Sequence, residues 1–190
     1  MRGFHLFSAL SLLTGSLAAT FPNCTQSQIA TLETAIDRAT NKSYTVIEYL
    51  EDNPNGSDLQ TAFFGAFSTE RYNKVLNAFK KFAPDLATKF SYACDCQNDF
   101  VIATPTNTYG HMSICSVYFN EAVVPPKGQH RSQWDTLIHE ATHFAEVLRT
   151  YDHANGVEAC KALALVDPDD AVNTADCHAR FAVEVPPFGP

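Results

Sequence analysis

The chain has 190 residues, 45 % of them hydrophobic and 18 % charged, and carries a formal net charge of −8. That length is enough for one domain with a real core, and that composition belongs to a folded globule rather than a disordered segment. The acidic balance lacks the basic footprint of a nucleic-acid binder, so nucleic acid is excluded as an expected partner.

Residues 1–19 read as a secretory signal peptide. Arg2 supplies the positive start, residues 4–17 supply an apolar stretch, and Ala18 and Ala19 are small residues suited to cleavage. The apolar run is interrupted and short of the ~20 residues that a membrane span needs, and no later segment could span, so no membrane partner is expected. Cleavage after Ala19 leaves a secreted, extracellular chain over residues 20–190. In that compartment the six cysteines, Cys24, Cys94, Cys96, Cys115, Cys160 and Cys177, read as a disulfide framework whose pairings spacing alone does not choose. Cys94 and Cys96 are too close for a CxxC redox or zinc motif, so each is expected to reach a distant partner. Asn23, Asn41 and Asn55 each open a glycosylation triplet, which fits a secreted chain.

Helical periodicity begins after Thr25. Ile29, Leu32, Ile36 and Ala39 recur at three and four, and Val46, Ile47 and Leu50 continue the pattern. Thr25 and Gln28 form a capping box at its start, and residues 53–56, with Pro54 and Gly56, form a turn. A second helix is expected near residues 69–82, with Tyr72, Val75, Leu76, Phe79 and Phe82 on one face. Residues 89–93, 100–103 and 112–119 are short and rich in aromatic or β-branched residues, and read as strands of a small sheet. Helix returns over residues 132–148, where Trp134, Ile138, Ala141, Ala145 and Leu148 form one apolar stripe. Residues 156–166 are helical again. Asp167 and Pro168 start a last helix that runs towards Phe181, before a tail from Val185. The expected fold is a single α+β domain, mostly helical, with a small β-sheet.

His139, Glu140 and His143 spell HExxH on the third predicted helix, on the side opposite the apolar stripe. Residues i and i+4 stand one above the other, so both imidazoles can reach one zinc ion at ~2.0–2.1 Å, with Glu140 placed to take a proton from water. A catalytic zinc usually has three protein ligands and one open position. Asp152 is the candidate third ligand, if the helix ends and the chain turns back. Glu146, Glu158 and His153 compete for that place, although Glu146 still falls on the predicted helix. His5 leaves with the signal peptide. His111, His130 and His178 read as surface or core histidines.

HExxH followed by Thr150, Asp152 and Gly156 resembles the HExxH…GTxxDxxYG pattern of the deuterolysin or aspzincin metalloendopeptidases. The regions 92–96 and 161–181 are similar to those of fungal peptidyl-Lys metalloendopeptidases. The resemblance implies a zincin-like domain, with one Zn2+ per chain held by His139, His143 and Asp152 and with Glu140 as general base. It implies disulfides Cys24–Cys94 and Cys96–Cys115, which leaves Cys160 for Cys177. It also implies that Asp176 is half of an acidic pocket for a lysine after the scissile bond.

Four departures stand out. Asn155 occupies the position of the family tyrosine, thought to hydrogen-bond the oxyanion. Ala179 replaces the second pocket carboxylate. Leu148 and Arg149 replace the Gly-Thr of the motif. Family peptidases carry a long propeptide, for which Cys24, so soon after Ala19, leaves no room. The expectation is a secreted, monomeric zinc metalloendopeptidase acting on protein or peptide substrates, with a lysine preference after the cut. The alternative is a catalytically weak or inactive secreted zinc-binding relative. A structural zinc protein would need a fourth ligand such as His153.

Overall fold

The computed structural model describes residues 18–96, 98, 103–123 and 131–186. The expected signal segment through residue 17, His130 and most of the strand expected at 100–103 lie outside the described residues.

Helix α1 (Gln26–Asp52) opens on the expected capping box: Thr25 accepts from the Gln28 amide while Gln28 accepts from the Thr25 amide. Its buried stripe runs Leu32, Ala35, Ile36, Ala39, Val46, Ile47 and Leu50. After the turn at Gly56 comes α2 (Asp58–Phe64), which periodicity did not announce because it is only 7 residues long. Ser57 caps it, and it ends at Gly65 with φ +74°. A Cβ at Gly65 would lie 2.6 Å from Pro168 Cγ, so only glycine fits both the backbone and the packing there. Helix α3 (Thr69–Leu86) buries Val75, Leu76, Phe79 and Phe82 as expected and packs along α1.

The sheet has three strands in the order β1-β3-β2. β1 (Ser91–Cys96) and β3 (His111–Cys115) are parallel, and β2 (Ala103–Pro105) pairs antiparallel with β3. The expected third strand stops early: residues 116–120 coil into a 3-10 turn, and buried Tyr118 there donates its hydroxyl to the Gln133 carbonyl. Residues 20–22 run beside β1, through Thr20 paired with Ser91 and the Cys94 amide donated to the Pro22 carbonyl. Disulfides join Cys24 to Cys94 and Cys96 to Cys115, so β1 is tied on both sides. Cys160 is joined to Cys177. The asparagines of the three glycosylation triplets, Asn23, Asn41 and Asn55, are all exposed.

Helix α4 (Gln133–His143) corrects the expected 132–148 helix. It ends at His143, and Ala145 and Leu148 are not buried. The cause is Phe144. At ψ 138° it leaves the helix and inserts its ring edge-on against Phe90 and Tyr109, at 5.6 and 5.4 Å between centroids. The long last helix is likewise divided, into α6 (Pro168–Val172) and α7 (Ala175–Glu184), following α5 (Val157–Val166). Thr174 pairs with Tyr151 at the break. α4 lies at the centre, against α1 and α7, and even its polar residues Asp135, Thr136, Glu140 and Thr142 are buried. No helix among the described residues is long and apolar enough to cross a membrane.

His178 on α7 is completely buried, with its ring against Phe64 and Phe79. Its Nε2 faces the Val172 carbonyl at 2.7 Å, which can only accept, so Nε2 carries the proton. Nδ1 has no partner among the described residues. Burial therefore pulls the pKa down to about 4, against the gain from the Val172 hydrogen bond. A depressed folded pKa means that the unfolded chain takes up this proton first, so stability is lost as pH falls from 6.5 towards 4. The loss amounts to ~3 kcal/mol. Asp135, pushed up to about 6, acts in the opposite sense over this window. Comparison with His178→Gln, which keeps a donor for Val172, isolates the effect. Chemical denaturation at pH 7 and pH 4.5 should show the stability gap between variant and wild type shifting in the variant's favour at the lower pH; a constant gap would refute the assignment.

Candidate metal centre

The end of α4 and the return of the chain build this site together. After Phe144, the Val147 and Arg149 amides both donate to the Phe144 carbonyl, and Arg149 turns through φ +53°. The Thr150 amide donates to the Thr142 carbonyl, and the Thr142 and Thr150 hydroxyls meet at 2.8 Å. Thr142 also bonds the His139 carbonyl, so the Thr150 hydroxyl is the donor of that pair. Tyr151 is then held from both sides, its amide donating to the Asn173 carbonyl and its own carbonyl accepting from the Ala175 amide. Asp152 is the next residue, and it faces the histidines.

His139, His143 and Asp152 each present one ligand atom, all within 4.8 Å of one another. His139 Nε2 lies 3.2 Å from His143 Nε2 and 3.2 Å from Asp152 Oδ1, and Asp152 Oδ1 lies 3.7 Å from His143 Nε2. Tetrahedral bonds of ~2.0–2.1 Å to zinc place ligand atoms roughly 3.3–3.4 Å apart. The triangle therefore has the size that zinc requires, and the donor set of two imidazoles and a carboxylate suits it. His143 Nδ1 bonds the Thr150 carbonyl at 2.8 Å, which fixes its proton on Nδ1 and leaves the Nε2 lone pair free to ligate.

The electrostatics agree with a cation site. Burial and the neighbouring His139 charge lower the His143 pKa, although the Thr150 bond opposes them. Burial also works against a charged His139, but Asp152, Asp176 and Glu140 outweigh it and raise its pKa to about 10. The hydrogen bond from His139 holds Asp152 below the usual carboxylate range. Glu140 is 7 % exposed, with its Oε1 4.0 Å from His139 Nε2. Burial pushes its pKa up to about 7; His139 and Arg131 pull it down, and Asp152 adds to the rise.

A cleft of about 520 Å³ lies over these residues. Ala103, Thr104 and Pro105 of β2 line one side; Arg131, Thr136 and Glu140 line another; Asp176 and Arg180 of α7 close it. Asp176 is buried. Its Oδ1 lies 3.6 Å from His139 Nδ1, and its Oδ2 accepts the Gly156 amide, which the φ of +89° at Gly156 turns inward. Burial disfavours the charged Asp176, yet His139, Arg180 and that amide keep its pKa below normal.

The rivals to Asp152 lie elsewhere. Glu146 is exposed in the turn rather than on the helix, Glu158 is exposed on the first turn of α5, and His153 packs against the Tyr151 ring. None of them belongs to the cluster of facing ligand atoms. Asn155 is exposed and is not among the described residues lining the cleft. Arg180, Asp135 and the Thr142–Thr150 pair were missed in the sequence. The signal available was Asp176 and Arg180 at i and i+4, an acid–base spacing on one helix face.

Known proteins resemble this chain over most of its length. A profile of the lysine-specific metallo-endopeptidases, the aspzincins, matches residues 49–183. A peptidyl-Lys metalloendopeptidase of Pleurotus ostreatus is 29 % identical over 88 % of this chain and 98 % of its own length. One from Grifola frondosa is 30 % identical over 88 % of this chain but 47 % of its own length. An extracellular protease of Aeromonas hydrophila is 30 % identical over 86 % of this chain and 46 % of its own length, so this chain spans about half of both of these relatives. A solved zinc peptidase from Grifola frondosa superposes with a TM-score of 0.76 at 28 % identity, over 84 % of this chain and 96 % of that one.

The hydroxyl pair that returns the chain is open to a direct test. Thr142→Val keeps the shape and removes the hydrogen bonds. Zinc affinity, measured by competition with a chelating dye, should fall ~10–100-fold while the circular dichroism spectrum is unchanged. Unaltered affinity would mean that packing alone holds the loop.

Proposed function

Because the chain belongs to the aspzincin family of zinc metalloendopeptidases, we propose that it hydrolyses peptide bonds outside the cell with one zinc ion held by His139, His143 and Asp152. The observation that carries this reading is the ligand triangle with edges of 3.2, 3.2 and 3.7 Å beside a buried carboxylate. The extracellular setting rests on the signal-like start, the three disulfides and the likeness to an extracellular protease. Protein and peptide chains are the substrates, the chain works as a monomer, and neither nucleic acid nor membrane is a partner.

When bound, zinc polarises a carbonyl and acidifies water towards a pKa of ~7. The chain's own residues do the rest. His139 and His143 would hold the ion from one helix, and Asp152 would hold it from the returning loop. Glu140 takes the proton from the attacking water and delivers it to the departing amine. A substrate would occupy the cleft between β2 and α7, with Thr136, Asp176 and Arg180 beside the metal ligands as candidates to face the side chain after the scissile bond. A lysine preference there would depend on Asp176 alone, because Ala179 is completely buried in the core.

A second reading is favoured by Asn155. It stands at the family tyrosine's position, and no tyrosine is among the described residues lining the cleft. Loss of one oxyanion donor typically lowers a rate by ~10²–10³. The chain is then a weak peptidase or, at the limit, an inactive zinc-binding relative. Glu140 distinguishes the two, since holding a metal does not need it.

The zinc-loaded chain should degrade denatured protein at neutral pH and stop when a chelator is added. Glu140→Gln should keep its zinc and lose the cleavage; if wild type and this variant are equally inert, the zinc-binding reading replaces the enzymatic one. Asn155→Tyr should raise kcat ~10²-fold if the missing donor limits turnover. No rise would place the oxyanion contact elsewhere.

A further inference from the structure

Resting on the peptidase reading above, we propose that Arg180 occupies, against Asp176, the place that a substrate ammonium would take, so that the pocket beside the metal ligands does not select lysine and takes uncharged side chains.

The argument starts from how fully Asp176 is used. Its Oδ1 accepts Arg180 Nε at 3.2 Å and also faces His139 Nδ1 at 3.6 Å. Its Oδ2 accepts the Gly156 amide. A carboxylate offers about four acceptor directions; the chain's own groups take two of them, and the His139 ring stands over Oδ1 as well. Asp176 is 5 % exposed and Arg180 is 2 % exposed, so neither has water to exchange for a ligand.

Arg180 is not free to swing away. Its NH1 bonds Asp135 Oδ2 at 3.1 Å, and Asp135 is fully buried. The other Asp135 oxygen accepts the Ser132 amide at 3.0 Å, as part of the capping box that starts α4. The guanidinium is therefore pinned between α7 and the foot of the HExxH helix. Releasing it would strand two buried carboxylates, which is among the most destabilising single changes a core can suffer.

A lysine side chain entering this pocket would lose its hydration. It would then meet a carboxylate already paired, with a guanidinium of its own sign beside it and Arg131 on the open side of the cleft. One turn further along α7 stands Ala179, which carries no charge and is buried in the core. The uncharged residues that line the cleft are Ala103, Thr104, Pro105 and Thr136. Those surfaces suit small polar or apolar residues.

Arg180→Gln alone would leave Asp135 unpaired, so the informative variant is Asp135→Asn with Arg180→Gln, in which the asparagine oxygen still accepts the Ser132 amide. A peptide library digested by zinc-loaded wild type should show no enrichment of lysine after the cut. The double variant should show ~10-fold or greater enrichment, the scale of one charge-assisted hydrogen bond. Adding Asp176→Asn to the double variant should abolish that gain. Lysine after most wild-type cuts would overturn the proposal, and so would a folded double variant indifferent to lysine. If no peptide is cut by any form, the peptidase reading fails separately, and calorimetric titration with n-butylamine still decides this one. The zinc-loaded wild type should give no saturable binding of the butylammonium ion, and the double variant should bind it. Binding by wild type refutes the proposal even if the variant does not fold.

Discussion

Two imidazoles one turn apart on a helix make a three-ligand zinc site only if another protein donor reaches them. Everything around this site follows from that constraint. The helix must stop at the second histidine, and the chain must reverse within a few residues. Phe144 makes stopping favourable, because its ring is buried between Phe90 and Tyr109 only if the backbone leaves the helix there. Thr142 and Thr150 make the reversal specific, by joining the last turn of α4 to the returning strand through both hydroxyl and backbone bonds. The Tyr151 pairing with Thr174 then sets the height at which Asp152 arrives. The break between α6 and α7 thus helps to build the candidate metal centre, since an unbroken helix would have no free backbone with which to pair Tyr151.

The same geometry makes α4 an unusual helix. An amphipathic surface helix presents a polar face to water. Here the polar residues of α4 face a second layer of protein: Asp135 meets Arg180, Thr142 meets Thr150, and Thr136 and Glu140 line the cleft. The aromatic packing under α2, α3 and α7 holds that layer in place, with Phe63, Phe64 and Phe181 in edge-on contact. The Cys160–Cys177 disulfide ties α5 to α7 on the same side. Rigid support is what a ligand triangle needs, because a displacement of a few tenths of an ångström moves a donor out of bonding range.

Much of this was legible in the residues. The capping box at Thr25 and Gln28, the stripe of α3, the Asp167–Pro168 helix start and the HExxH spacing are local signals, and each appears where the chain places it. What was not legible is tertiary. The apolar spacing of Trp134, Ile138, Ala141, Ala145 and Leu148 is genuinely helical, yet the helix ends before Ala145. The burial of Phe144 and the pull of Asp152 towards the histidines outweigh four residues of propensity, each worth only tenths of a kcal/mol. Residues 116–120 have the composition of a strand, but Tyr118 reaches the Gln133 carbonyl only from a tighter coil. The role of Arg180 was hidden for a similar reason. Its partner on α7 is visible as an i, i+4 pair, while Asp135 lies 45 residues away in the chain.

Glu140 is the residue that stability would not choose. It is nearly sheathed by protein, beside the carboxylate of Asp152, and burial raises its pKa to about 7. A carboxylate in that position disfavours folding, because ionising it requires solvation that the site does not supply. Glutamine would fill the same volume without the charge and would leave both imidazoles and Asp152 free to hold a cation. Local rules broken without structural gain are expected where chemistry demands them. A proton acceptor held against the two imidazoles and Asp152 is a demand of that kind, and stability alone gives no reason to keep a carboxylate there.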